Sequence, residues 1–294
     1  MKTSLAVLAV VALFGCGSES TEEPGGGVAT EGAPSSGEVT TTYPVTVLDD
    51  GDGAELCLSG VATSLPPQCG GPRLVGWDWA DHAGDHEDVS GVRWGSFVVT
   101  GTWDGTALTP AAVVPFSAWD ESSVPPRPER DLTTPCPEPA GGWRPVEPAT
   151  TTDRARNQAG RVARALPTYG ELWVDQSVNP AFDQPLGPED EMLMNDPAQL
   201  VLNVRVTDDL AGAEAAIREV WGGALCVSQA RFTDRELARV QRVVDDLPGV
   251  TYSSRGDDRV DLGVVHDDGT LQARLDDEYG EGAVVVDSAL RPVG

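Results

Sequence analysis

The sequence predicts an α+β protein in which a small antiparallel β domain precedes a region of alternating helices and strands. Three observations support this fold class. Short apolar segments separated by Gly and Asp turns fill the first part of the chain, a proline-rich stretch follows, and beyond it apolar positions recur at helical spacing between further strand-like segments. A chain of 294 residues is long enough for two ordinary domains.

Residues 41–116 are predicted to form the β domain, as a small barrel or sandwich. Two strand-like segments flank Asp104-Gly105, a dipeptide typical of a tight hairpin because such turns need a positive φ. Gly101, within the first of these segments, indicates a bulge or a close approach of two backbones. Short strands around a Gly-containing hairpin resemble an OB-fold, at the level of architecture only.

Residues 149–294 are predicted to form an α/β region with an internal duplication. The tripeptide Thr-Asp-Arg begins at Thr152 and again at Thr233, and a Leu-Pro pair follows each at the same distance. We therefore expect a helix–strand–strand–helix–strand unit twice, over about 152–230 and 233–290. Chance similarity of helix start and stop signals is the alternative.

The strand predicted at 224–230 precedes the second copy directly. Together they give the order β-α-β-β-α-β, which is the ferredoxin-like order. The expectation is a ferredoxin-like α/β sandwich.

The amino terminus carries the features of an export signal. A single positive charge at Lys2 precedes an apolar run of ten residues, which is too short to span a bilayer as a helix. The run ends in Leu13-Phe14-Gly15-Cys16, which resembles the lipobox of bacterial lipoprotein signal peptides. The alternative is an ordinary signal peptide that contains a cysteine.

The resemblance implies that residues 1–15 are removed and that Cys16 is lipidated. The protein would then be anchored at the extracytoplasmic face of the cell membrane, with the membrane as a partner through its lipid. Residues 16–40 are rich in Ser, Thr, Glu, Gly and Pro and are predicted to be a disordered tether.

The composition is strongly acidic, with 47 Asp and Glu against 20 Lys and Arg and a net charge of −27. Such a chain is repelled by nucleic acid, because that binding depends on neutralising phosphates with cations. Lys2 is the only lysine. This arginine usage is typical of a high-GC genome, so the resemblance is to lipoproteins of the high-GC Gram-positive type.

Four cysteines follow Cys16, and an exported chain meets an oxidising compartment, so two disulfides are predicted. Cys57 and Cys69 flank one short loop and are expected to pair. That leaves Cys136, in a proline-rich extended connector over 117–148, to pair with Cys226. The alternative for Cys226 is a buried free thiol.

Trp77 and Trp79 are candidate ligand-binding residues, because six of the eight tryptophans fall between 77 and 143. Exposed indole rings could stack on the sugars of a cell-wall polymer. The alternative is that a small β domain uses these large rings as its core.

His82, Asp85 and His86 are candidate metal ligands, since two histidines four residues apart stand among acidic side chains. The His-Glu-x-x-His pattern of zinc enzymes is absent, and the acidic run is also typical of a solvated loop. No cofactor is predicted.

The function predicted from these features is a non-catalytic binding or structural module of the cell envelope, with an envelope protein or a wall polymer as its partner. The alternative is a hydrolase acting on cell-wall polymer, in which Asp78, Asp81 or Glu87 near the tryptophans supply an acid/base pair. The sequence contains no nucleophile, phosphate-binding or dinucleotide-binding motif that would favour catalysis.

Overall fold

The computed structural model describes residues 34, 35, 37–124, 130–185, 187 and 191–293. In these residues the protein is a mixed α+β fold with fourteen strands in three sheets and five α-helices. The predicted signal peptide, Cys16 and residues 16–33 of the predicted tether lie outside the described part. Among the described residues, no helix has the length and apolar character needed to cross a membrane.

Strands and helices are numbered separately, each in the order in which they occur along the chain. The strands are β1 (Glu38–Thr40), β2 (Val45–Asp49), β3 (Glu55–Leu56), β4 (Arg73–Leu74), β5 (Glu87–Val89), β6 (Val92–Trp103), β7 (Ala107–Pro115), β8 (Tyr169–Asp175), β9 (Val201–Val206), β10 (Ala224–Gln229), β11 (Val250–Gly256), β12 (Arg259–Val264), β13 (Val284–Ser288) and β14 (Arg291–Pro292). The α-helices are α1 (Asp153–Ala165), α2 (Glu191–Met194), α3 (Leu210–Arg218), α4 (Asp234–Val244) and α5 (Thr270–Tyr279).

Five strands of the first sheet close into a ring. β2 pairs with β3, β3 with β4, β4 with β7, β7 with β6, and β6 with β2. The β4–β7 pair is parallel, so the expectation of a purely antiparallel domain is wrong at this one junction. β5 and β6 come between these two strands along the chain, so no hairpin turn joins β4 to β7.

The hairpin β6–β7 shows why Gly101 stands where it does. The pairing register shifts between Thr100 and Gly101, so the predicted bulge is present. A Cβ atom at Gly101 would lie 2.1 Å from the carbonyl oxygen of Thr109. Only glycine allows the two backbones to come this close.

The two ends of the described chain meet on the outside of this ring. β1 pairs with β6 on one side and with β14 on the other. The predicted tether ends at residue 40, and this boundary is wrong because 38–40 form a strand. The predicted α/β region also gives up its last strand to the β domain, and Leu290 packs in the core of the ring beside Phe97 and Trp103.

The α/β region contains two separate three-stranded sheets, β8-β9-β10 and β11-β12-β13. In each, the first pair is antiparallel and the second is parallel. Helices α1 and α3 pack on one face of the first sheet, and α4 and α5 pack on one face of the second.

The predicted ferredoxin-like sheet is not formed in the described part of the chain. β10 pairs with β9 and is not hydrogen-bonded to β11, β12 or β13. An apolar strand can pair with more than one neighbour, and here the crossover through α3 places β10 beside β9.

The two sheets share a detailed register. The first pair of each contains one irregularity, between Tyr169 and Glu171 in one sheet and between Val250 and Tyr252 in the other. Counting from it, Trp173 pairs with Asn203 as Ser254 pairs with Asp261.

In the described part of the predicted connector, the start is not extended, because 3₁₀ helices lie at Phe116–Ala118 and Glu121–Ser123. Residues 130–147 contain no helix or strand and are bound to the first sheet. The indole nitrogen of Trp173 donates a hydrogen bond to the Leu132 carbonyl at 3.0 Å, and the backbone amide of Thr134 donates one to Asp175 at 2.7 Å. Cys136 and Trp143 pack on the same face. The connector therefore covers the face of this sheet that the helices leave open.

Both disulfides join the pairs expected from the sequence. Cys57 is bonded to Cys69 within one loop of the β domain. Cys136 is bonded to Cys226 in β10, across 90 positions of sequence. The second bridge fixes the connector to the sheet that it covers.

Candidate binding groove

The tryptophans proposed as ligand-binding residues lie in or against the core of the β domain. Trp79 is 5% exposed, and its indole nitrogen donates a hydrogen bond to Asp49 at 2.9 Å. Trp77 is partly buried and meets the ring of Phe97 edge-on at 5.2 Å between centroids. Their place is the one that the core interpretation predicts.

The side chains proposed as metal ligands are directed to other partners. The His82 ring stacks on Trp77 at 4.2 Å between centroids, and Nδ1 of His86 lies 3.0 Å from the His82 carbonyl oxygen. Asp85 accepts a hydrogen bond from Ser117. Over the described ranges, no three His, Cys, Asp or Glu side chains are grouped so that they could hold a metal ion.

The carboxylates proposed for a hydrolase stand on the surface. Asp78, Asp81 and Glu87 are all exposed. Asp78 accepts a hydrogen bond from the backbone amide of Ala80 at 2.8 Å, which is a local capping role. None of the three lines the groove described next.

A groove of about 980 Å³ lies between the β domain and the second α/β sheet. Its floor is the face of β11-β12-β13 opposite helices α4 and α5, and its other wall is the edge of the β domain. The residues on the β-domain side are Thr41, Thr42, Tyr43, Val45 and Leu58. The polar residues that the connector and the sheet contribute are Arg130, Asp131, Tyr252, Ser254, Arg255, Asp257, Arg259, Asp261, Asp287 and Arg291, among others.

Tyr252 forms an aromatic platform on the floor of the groove. It is the pairing partner of Gly263, where a Cβ atom would lie 2.1 Å from Cε1 of the Tyr252 ring. The ring can therefore lie against the sheet only because residue 263 is glycine. Tyr252 remains 47% exposed, so its ring is available to a ligand.

The hydroxyl group of Tyr252 is held by Asp287. It donates a hydrogen bond to Oδ2 of Asp287 at 3.0 Å. Burial, this hydrogen bond and the negative charge of Asp287 raise the pKa of Tyr252 to about 12. The phenol therefore stays neutral at physiological pH, and Asp287 keeps a fixed orientation.

Three Arg and three Asp of the groove form pairs of opposite sign. Arg291 binds Asp287 at 2.5 Å, and Arg259 binds Asp261 at 2.8 Å. Arg255 also lines the groove but is paired with Asp234 of α4, so three Arg and four Asp remain and the formal charge of the groove is −1 on a chain of net charge −27. The groove is therefore much less negative than the protein as a whole, and its polar groups are held in place.

The corresponding face of the first sheet is closed. The register places Trp173 where the second sheet has Ser254. Trp173 is 8% exposed beneath the connector, whereas Ser254 is exposed in the groove. The same surface is therefore covered in one half of the α/β region and open in the other.

Sequence reasoning missed the groove because its walls are about two hundred positions apart along the chain. One local signal was present. Along β12, the polar Arg259 and Asp261 alternate with the buried Val260, Leu262 and Val264. That alternation indicates an uncovered face, but not what stands opposite to it.

Comparison with known proteins gives no match, whether against family models, against curated proteins or against solved structures.

Proposed function

We propose that this protein is a lipid-anchored module of the cell envelope that binds a partner without catalysis, at the extracytoplasmic face of the membrane. The lipobox-like sequence ending in Cys16 supports the location. The two disulfides agree with it, because disulfides persist in oxidising compartments outside the cytoplasm.

The groove is the proposed binding site, and the observation that carries this is the exposed ring of Tyr252 lying on Gly263 between fixed pairs of charges. An aromatic ring offers an apolar face to the C–H side of a sugar ring. Carboxylates and guanidinium groups beside it accept from and donate to sugar hydroxyls. A carbohydrate chain of the envelope has both features, and a neutral chain is not repelled by the acidic body.

Binding to purified wall polysaccharide tests this proposal. The full-length processed protein is expected to sediment with the insoluble polymer, and Tyr252→Ala should weaken that binding by about tenfold, since one stacking platform and its hydroxyl are lost. Phe182→Ala is the matched control, because Phe182 is 48% exposed on another surface. Undiminished binding by Tyr252→Ala, or no binding by the wild type, would overturn the assignment of the groove.

The finer architecture is also a proposal. We infer that the two halves of the α/β region arose by duplication, with the segment 178–198 inserted in the first. The matching order of elements, the matching sense of each pairing and the shared irregularity support this. An experimental structure in which 152–230, without the insertion, superposes poorly on 233–290 would contradict it.

The ring of the β domain is likewise proposed to be an OB-like barrel. Its strands follow in the order first, second, third, fifth, fourth around a closed ring, which is a Greek-key arrangement of five strands. Some OB-folds bind oligosaccharides, but the proposal for the groove depends on Tyr252 and its neighbours and not on this resemblance.

A further inference from the structure

A second cavity, of about 310 Å³, lies on the helix-covered side of the first α/β sheet. It opens between α1 and β8, away from the groove. Helix α1 contributes Arg156, Gly160 and Arg164 to its lining, and the strands contribute Leu172, Val174 and Leu202. Its volume is in the range of small-molecule sites.

In the second half of the α/β region, a side chain fills the space that corresponds to this cavity. The register matches Leu172 and Val174 with Ser253 and Arg255. At the helix position matching Gly160, the second half has Gln241. Its amide nitrogen donates to Ser253 at 2.7 Å, and its amide oxygen accepts from Arg255 at 2.6 Å. The first half has no such plug.

Gly160 has no side chain to fill the cavity, and it leaves room for the guanidinium group of Arg164. It is buried in the middle of α1, where glycine is unfavourable relative to alanine. A Cβ atom there would lie 3.0 Å from Nη1 of Arg164 and 3.9 Å from Cδ1 of Leu172. The guanidinium group of Arg164 therefore lies over Gly160, at the edge of an apolar floor formed by Leu172, Val174 and Leu202.

The two arginines of the cavity are not equivalent. Arg156 is paired with Asp153 at 2.9 Å. For Arg164 no ion pair is present among the described residues, and its polar neighbour is the hydroxyl group of Tyr169. Arg164 is thus the cation that can take an anionic ligand.

The far wall of the cavity belongs to the segment that only the first half has. The side-chain nitrogen of Gln176 donates to the Met194 carbonyl at 2.8 Å and to Asn195 at 3.3 Å. The insertion thus turns a gap beside α1 into a pocket with a polar rim. Two changes specific to the first half, the glycine and the insertion, meet at one site.

We propose that this cavity binds a small amphipathic organic anion, with its carboxylate on Arg164 and its apolar body on Leu172, Val174 and Leu202. A guanidinium group pairs with a carboxylate through two parallel hydrogen bonds. The apolar floor favours a ligand with a hydrocarbon part over a plain inorganic anion. This site is independent of the groove and of the function proposed for it.

Calorimetric titration of the processed protein with hexanoate and with phenylacetate tests the proposal, with 1-hexanol and sulfate as probes that each lack one half of the ligand. The wild type should bind at least one carboxylate, at least about tenfold more tightly than 1-hexanol or sulfate. Gly160→Gln, which copies the second half, should abolish binding, and Arg164→Gln should weaken it by about tenfold or more. Arg161→Gln is the matched control on the exposed side of α1.

Each result decides the question. Failure of the wild type to bind either carboxylate, or unchanged binding by Gly160→Gln and Arg164→Gln, would overturn the proposal. If Gly160→Gln does not fold, as judged by circular dichroism, Arg164→Gln alone gives the answer. Polysaccharide binding by Arg164→Gln should equal that of the wild type, which separates this site from the groove.

Discussion

Tyr252 gives the clearest dependence on pH at the scale of single residues. Its pKa is raised from 10.0 to about 12, so the neutral phenol is favoured more in the folded than in the unfolded chain. The stability that this contributes is fully present below pH 10 and is lost as the pH rises through about 12.

An ultraviolet titration of tyrosinate measures this. The difference between the wild type and Tyr252→Phe should show a phenol that ionises near pH 12, and Asp287→Asn should move that ionisation towards 10. Ionisation near pH 10 in the wild type would show that the hydrogen bond to Asp287 is not maintained.

Cys16 is the residue on which the proposed location depends. A diacylglycerol on the thiol and a chain on the amino group would supply the two anchors that stable attachment requires. Cys16→Ser is expected to release the protein from the membrane fraction or to leave it unprocessed. Fractionation with intact-mass measurement checks this, and unchanged behaviour would show that Cys16 is not lipidated.

Elements with strong local signals were predictable from the sequence. The capping box of α4, in which Thr233 and Glu236 bond to each other's backbone amides, is present. The hairpin at Asp104-Gly105 and the bulge at Gly101 are also present. Each of these features is determined by residues close together in the sequence, so a local pattern is enough to predict it.

Pairings between distant strands were not predictable in the same way. The ferredoxin-like expectation failed because nothing near β10 in sequence says which strand it will join. The prediction of a purely antiparallel domain was wrong at the β4–β7 pair for the same reason, because β4 has only two residues and so almost no sequence pattern of its own. Tertiary packing decides both.

The disulfide between Cys136 and Cys226 is the element that holds the connector to the first sheet. In the chain-entropy description, closing a loop across 90 positions contributes up to about 4.6 kcal/mol. The shorter loop, between Cys57 and Cys69, contributes about 3 kcal/mol. Removing the bridge between Cys136 and Cys226 should therefore lower the free energy of unfolding more than removing the bridge between Cys57 and Cys69.

Urea unfolding of Cys136→Ser/Cys226→Ser against Cys57→Ser/Cys69→Ser tests that order. Non-reducing peptide mapping of the wild type supplies the control, since it should give the 57–69 and 136–226 peptides alone. A 57–136 or 69–226 crosslink, or free thiol at Cys226, would contradict the pairing. Equal stability of the two double variants would show that the connector is held mainly by its hydrogen bonds to Trp173 and Asp175.

At the scale of the whole molecule, the groove exists because the last part of the chain returns to the first. β14 pairs with β1, and Leu290 is 0% exposed in the core of the β domain. Val265 is in the same core. The β domain and the second α/β sheet therefore share buried side chains, which no local pattern in the sequence could indicate.

Leu290→Ala tests this shared core. Truncating a buried leucine lowers the free energy of unfolding by about 2–5 kcal/mol, because the cavity left behind is filled only in part.

Two spectroscopic probes separate the β domain from the α/β region. Tryptophan fluorescence reports mainly on the β domain, because five of the eight tryptophans precede residue 120. Far-ultraviolet circular dichroism reports mainly on the helices of the α/β region. In the wild type the two unfolding curves should coincide. In Leu290→Ala the fluorescence curve should move to lower denaturant and separate from the other, whereas Leu65→Ala, at a side chain 76% exposed, should leave both in place. If the two curves of Leu290→Ala coincide and its free energy of unfolding falls by less than about 1 kcal/mol, Leu290 does not join the two units.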